Sequence, residues 1–266
     1  MNGPKRAKPR RLVLAFPPSA VPRPAIDSAA QLARLLQASL FGLLVEDADL
    51  FAAADLLFLR ELDAQIRAWR PLSHEGLLED YAAIAAALRR GLLQSAAESG
   101  VEADFAVFRG DPRTLLASGT EPSDLLALFE PITSWMSHKT ETASGTIFLP
   151  RTARPQQGPV VVIAREPAAP EVEIASEIAA NADNSLVVID AAREHSSTFW
   201  LGRGQAGGTR LVGPRNLATG TRHFLQLGLP SASLVVLTRA TLEWIKESLG
   251  AIAEGRSEPW LVLEER

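Results

Sequence analysis

No cysteine occurs anywhere in the 266 residues. That absence removes disulfides, thiolate metal sites and cysteine nucleophiles together, because each of these chemistries needs the sulfur atom. Whatever the protein does, it does with oxygen and nitrogen groups. Histidine is scarce too: His74, His138, His195 and His223 lie far apart, without HExxH or any other paired ligand spacing, and a metal site is not expected. No stretch approaches the roughly 18 uninterrupted apolar residues of a membrane helix. The start, MNGPKRAKPRR, is basic without the apolar core of a signal peptide. The expectation is a cytoplasmic protein that makes no membrane contact. An excess of positive charge is also lacking. With a net charge of −4 there is no general basic face to displace counterions from phosphates, so nucleic acid is not an expected partner. The local exception is the tail formed by residues 1–10, with Lys5, Arg6, Lys8 and Arg10, which reads as a solvated, frayed terminus.

What the chain does have is apolar sequence, 47% of its residues, arranged in strand-length runs with turn or helix signals between them. RLVLAF (11–16) is the first run, and after the proline-rich PPSAVPRP a helical spacing of Ile26, Ala29, Ala30, Ala33 and Leu36 predicts a helix over 25–38. SLFGLLVED (39–47) is the second strand. The Ala-, Leu-, Glu- and Arg-rich segment that follows, broken at Pro71, predicts helices over 49–69 and 74–98. VEADFAVFRG (101–110), DLLALFE (124–130) and GTIFLP (145–150) complete a first set of five strands. The pattern then restarts with GPVVVIA (158–164), SLVVID (185–190), TRLVG (209–213), SLVVLT (233–238) and PWLVLEE (259–265). Runs such as VVVIA are apolar on both faces, as in a parallel sheet covered by helices on both sides.

Several phrases recur in the same order in both sets. FRGDPRTLL (108–116) and LVGPRNLA (211–218) each follow a third strand, and LLVED and LVVID each close a second strand on an acid. LLALFEPITSWM (125–136) and LVVLTRATLEWI (234–245) place Trp135 and Trp244 at the same distance from the fourth strand. Parallels in register suggest an internal duplication. The glycine allows a tight exit from the strand, and proline at a helix start costs no hydrogen bond.

Five parallel strands, a helical excursion after the second, Gly-x-Pro or Gly-Pro after the third and an acid ending the second resemble the universal stress protein family. Gly110, Pro112, Gly213 and Pro214 match its third-strand turn, Asp47 and Asp190 its second-strand end. The resemblance to tandem members covers residues 11–266. It implies an α/β fold of two flavodoxin-like units, 11–152 and a reduced unit over 153–266, each a five-stranded parallel sheet of order 3-2-1-4-5 with helices on both faces. The units would pair about a pseudo-twofold axis. A homodimer also follows from the family, although two units in one chain can satisfy that pairing surface by themselves. ATP-binding members carry Gly-x2-Gly-x9-Gly-Ser/Thr after the fourth strand, where backbone N–H groups approach the phosphates. Here EPITSWMSHKTETASGT and RATLEWIKESLGAIAEGRS lack that spacing, and the aspartate expected after the first strand is replaced by Pro17 and Glu166.

Other constellations weigh less. The glycine-rich GRGQAGG (202–208), which contains Arg203, reads as a loop, and the adjacent Glu194, His195, Ser196 and Ser197 cannot generally aim at one substrate atom. Arg113 and Arg215, near the expected carboxyl edges, could hold a phosphate. The stripe Leu50, Phe51, Ala54, Leu57, Phe58, Leu62, Ile66 and Trp69 reads either as core or as a partner-docking face. The sequence-level expectation is a non-enzymatic, cofactor-free protein of stress response or regulation that binds an unknown protein partner. The alternative is an adenine nucleotide sensor with a rebuilt site using Ser19, Arg113, Glu166 or Arg215.

Overall fold

The computed structural model describes residues 11–19, 21–56, 58–63, 67–111, 114, 121–133, 143–166, 169–190, 199–202, 210–212, 232–253 and 256–264. Its first half contains strands β1 (Arg11–Phe16), β2 (Ser39–Asp47), β3 (Arg60–Asp63), β4 (Ala68–Pro71), β5 (Ala103–Gly110), β6 (Leu125–Leu128) and β7 (Gly145–Phe148). Helices α1 (Arg23–Leu36), α2 (Ala48–Ala54) and α3 (His74–Ser99) lie between them. The second half has β8 (Val160–Ala164), α4 (Pro170–Asn181), β9 (Leu186–Asp190), β10 (Phe199–Gly202), β11 (Arg210–Val212), β12 (Leu234–Thr238), α5 (Arg239–Ala253) and β13 (Trp260–Leu263).

Eleven strands form one sheet in the order β11-β10-β9-β8-β12-β13-β7-β6-β1-β2-β5. Counted within the first half, β7-β6-β1-β2-β5 is 5-4-1-2-3. In the second half β9-β8-β12-β13 is 2-1-4-5, and β11 is displaced outward by the inserted β10. The halves meet where β13 pairs antiparallel with β7, Trp260 opposite Phe148 and Leu261 opposite Ile147. That pairing runs the two parallel sets in opposite directions, as a twofold axis would.

The apolar runs explain both the burial and the layering. Val160–Ala164 is buried throughout, and alternate residues enter opposite layers: Val160, Val162 and Ala164 one, Val161 and Ile163 the other. Each layer takes residues from both halves. Helix α1 fits closely because the side it buries is largely alanine, with Ala25, Ala29, Ala30 and Ala33 wholly covered. Its last turn ends at Gln37 in the left-handed conformation, φ 54°. Helix α3 starts at the Ser73 cap, whose Oγ accepts the Gly76 amide at 3.1 Å, and stops at Gly100, φ 67°.

Two expectations need correction. The predicted helix over 49–69 ends at Ala54, and residues 60–71 form the separate antiparallel hairpin β3–β4. Pro71 biases Arg70 toward extended backbone, and the hairpin gains the cross-strand partners Leu62–Trp69 and Glu61–Arg70. Arg70 also reaches Asp80 on α3 at 3.1 Å. The apolar stripe accordingly dissolves: Phe51 and Ala54 are buried, whereas Leu50, Phe58, Leu62 and Trp69 are exposed; Leu57 and Ile66 lie outside the described residues. The second correction is β10. Five strands were expected in this half with none between Asp190 and Thr209, yet Phe199–Gly202 forms a strand pairing antiparallel with both β9 and β11. Residues 203–209 and the His195 cluster lie outside the described residues.

Candidate functional site

Open α/β sheets bind ligands beyond the carboxyl ends of their strands, where the strand order reverses. In the first half that crevice lies between β1 and β6. Phe16, the last residue of β1, and Phe129, just after β6, stack across it with centroids 5.1 Å apart and planes at 22°, and both are buried. Phe105 adds a tilted contact to Phe16 at 6.0 Å. Among the described residues, packed hydrocarbon thus joins the carboxyl ends of β1 and β6. Ser19 stands just beyond, half-buried, its amide donating to the Pro17 carbonyl at 2.7 Å.

The equivalent crevice of the second half lies between β8 and β12. Strand β12 runs directly into α5. Thr238 Oγ1 accepts the Thr241 amide at 3.3 Å, so the threonine side chain takes up an N–H of the helix start. Arg239 is held in a two-pronged pair with Glu264, which raises the pKa of its guanidinium above the ordinary value. Glu166 follows β8 and is exposed.

Because β7 and β13 are antiparallel, the carboxyl ends of the two parallel sets lie at opposite edges of the sheet. Ser19, Asp47 and Gly110 sit at one edge, Glu166 and Asp190 at the other, so these residues cannot form one site. Asp47 and Gly110 are brought side by side as register partners. Asp47, however, caps α2, its Oδ1 accepting the Asp49 amide at 2.9 Å. Arg113, Gly213 and Arg215 lie outside the described residues.

Next to Asp47 the structure assembles a group that the sequence reading missed. Arg109 on β5 reaches Glu46 on β2 through Nε at 2.9 Å and Nη2 at 2.8 Å, and its guanidinium lies 4.0 Å from the centre of the Phe51 ring. Phe51 in turn meets His74 edge-on at 5.1 Å and Tyr81 at 5.5 Å. Tyr81 is 3% exposed, and its hydroxyl has no hydrogen-bond partner among the described residues. Burial pushes its phenol above the usual value; the nearby Asp47 amide is the next largest influence and pulls the other way, ahead of the upward push from the Asp47 and Glu46 charges. Helical periodicity marked α3 but offered no means of singling out Tyr81. A shallow groove of about 280 Å³ beside Arg34, Gln37, Ser39 and Glu102 lies at the amino edge of β2 and β5, away from either crevice. Among the described residues no cluster of His, Asp and Glu has a metal-binding arrangement, and no helix is long and apolar enough to cross a membrane.

Comparison with solved structures gives the fold a counterpart. A universal stress protein from Archaeoglobus fulgidus DSM 4304 superposes with a TM-score of 0.55 at 10% identity, covering 97% of each chain. A protein of unknown function from Pseudomonas aeruginosa PAO1 aligns over 96% of this chain and 92% of its own at 15% identity, with a TM-score of 0.47. No protein-family model matches the chain, and no curated protein does. The chain therefore has the α/β fold of a universal stress protein.

Proposed function

We propose that this is a non-enzymatic, universal stress protein-like protein of stress response or regulation, working in the cytoplasm by binding other proteins, and that it does not take ATP in the manner of the family. The observation that carries the reading is the Phe16–Phe129 stack in the first crevice. A stacked aromatic pair gains about 0.5–1.5 kcal/mol beyond the area it buries, and a purine would have to displace it. The direct passage of β12 into α5, with Thr238 capping the helix start, supports the same reading for the second crevice. The antiparallel β7–β13 pairing supports a duplicated unit whose pairing surface is used within one chain.

Isothermal titration with ATP, ADP and AMP, with and without magnesium, tests the proposal. No heat of binding is expected at micromolar to millimolar nucleotide. Magnesium-dependent binding abolished by blocking either crevice would replace the proposal with a nucleotide sensor.

A further inference from the structure

We infer that the β3–β4 hairpin is the docking arm for a protein segment that combines a large apolar side chain with flanking carboxylates. The inference rests on the protein-binding reading above and gives it a place and a partner chemistry. An isolated two-stranded hairpin is marginal by itself, yet this one is held to the body. Arg70 joins Glu61 across the strands at 2.6 Å and Asp80 on α3 at 3.1 Å, and Leu72 at the foot of the hairpin packs against the main hydrophobic core. These bonds turn the Glu61–Arg70 face toward α3.

Side chains alternate along a strand, so the opposite face carries Arg60, Leu62, Trp69 and Pro71, with Leu62 directly across from Trp69. This face points away from the protein. Leu62 is 55% exposed, Trp69 60% and the neighbouring Phe58 77%. Among the described residues no other large apolar side chain is as exposed as Phe58 and Trp69. An anchored element that presents tryptophan and leucine to solvent gains nothing for the fold from that exposure, and large exposed apolar patches mark interaction sites. Tryptophan and arginine are also the side chains that dominate binding hot spots.

Charge selects the occupant. Arg60 and Arg67 are exposed on either side of the Leu62–Trp69 pair; Arg60 donates to the Trp69 carbonyl at 2.8 Å, and neither has an ion-pair partner among the described residues. A partner with Asp or Glu beside its apolar anchor neutralises both. A second copy docking by the same face about a twofold axis would bring these cations against their own copies, which is repulsive. A flat anionic surface, lipid or nucleic acid, would meet the field of a chain whose net charge is −4, which two arginines do not reverse.

The test is a peptide-display selection on the immobilised full chain, counter-selected on Trp69→Ser and on the double variant Arg60→Glu/Arg67→Glu, with circular dichroism confirming that both variants fold. The expected result is enrichment of peptides bearing an aromatic or leucine next to acidic residues. Synthetic versions should bind at least about tenfold more weakly to each variant in fluorescence anisotropy. If Trp69→Ser fails to fold, Leu62→Ser takes its place. The inference is overturned if no peptides are enriched, if the enriched peptides are basic, or if they bind the variants equally. It is also overturned if the wild-type chain sediments as a dimer that Trp69→Ser dissociates, or if it binds phosphatidylserine vesicles or single-stranded RNA through this face. Nucleotide titration reports separately on the reading beneath it: ATP binding with peptide docking retained would sink the first and leave the second.

Discussion

Replacing Tyr81 by phenylalanine removes one oxygen from the packing between α3, α2 and the end of β2 and leaves the ring contact with Phe51 in place. That oxygen is buried without a partner among the described residues. Burying an unsatisfied hydroxyl costs about 1–3 kcal/mol, and Tyr81→Phe is expected to raise the unfolding free energy by about 1 kcal/mol near neutral pH. The effect should grow in alkali, and its sign follows from the shift. Burial raises the folded phenol above its ordinary value, so the folded protein keeps this proton at a pH where the unfolded chain, with a value of about 10, gives it up. Wild-type stability from this group is therefore full below about pH 10 and falls as the pH rises toward the folded value, a fall the variant lacks. Guanidinium unfolding of both proteins at about pH 7 and about pH 10.5 measures the difference. Since the chain has a single tyrosine, absorbance at the phenolate band reports this group alone. A variant about 1 kcal/mol less stable at neutral pH would refute the reasoning, since the hydroxyl would then be making a bond. So would a folded-state phenol that ionises at or below about pH 10.

Asp124 is wholly buried and receives Arg11 Nη2 at 2.6 Å and the Glu121 amide at 2.9 Å, tying the start of β1 to that of β6. Asp124→Ala should lower stability by about 2–3 kcal/mol in urea unfolding, less than for a fully buried pair because the arginine retains solvent access. A Cβ added at Gly42 would lie 2.6 Å from both Leu92 and Phe105, so Gly42→Ala should cost about 1–3 kcal/mol by overpacking, seen as a lower melting temperature. Thr238→Ala should cost about 1 kcal/mol in the same assay through loss of the α5 cap, with no change in nucleotide titration.

The strands of the parallel sets were the most legible part of the chain, because burial on both faces leaves a continuous apolar run. SLFGLLVED matches β2 residue for residue, and VVVIA matches β8. The edge elements were not. Residues 55–71 are rich in strong helix formers, and propensity is a weak prior that tertiary partners override; Arg70–Asp80 and Leu62–Trp69 favour a hairpin instead. The Arg70-Pro71 pair was the available signal, since the residue before proline avoids helical backbone. Likewise Phe199-Trp200-Leu201 has strand composition but sits among glycines and polar residues that suggest loop. Of the candidate site residues, Asp47 and Gly110 were placed at a strand end as expected, since a turn residue marks where a strand stops. The aromatic pair joining the carboxyl ends of β1 and β6 was not legible, because Phe16 and Phe129 are distant in sequence and adjacent only through the β1–β6 pairing.

The joining of two parallel sets into one sheet is tested most directly at its seam. The chain has no cysteine of its own, so Ile147→Cys/Leu261→Cys introduces a single pair, placed on facing residues of β7 and β13. Facing residues of antiparallel strands lie about 4.5–5.5 Å apart at Cα, within disulfide reach. Mild oxidation of the folded protein should give one intrachain disulfide in nearly every molecule, read by intact mass and by peptide mapping. Persistent free thiols, or a bridge that forms only between molecules, would contradict a seam within one chain.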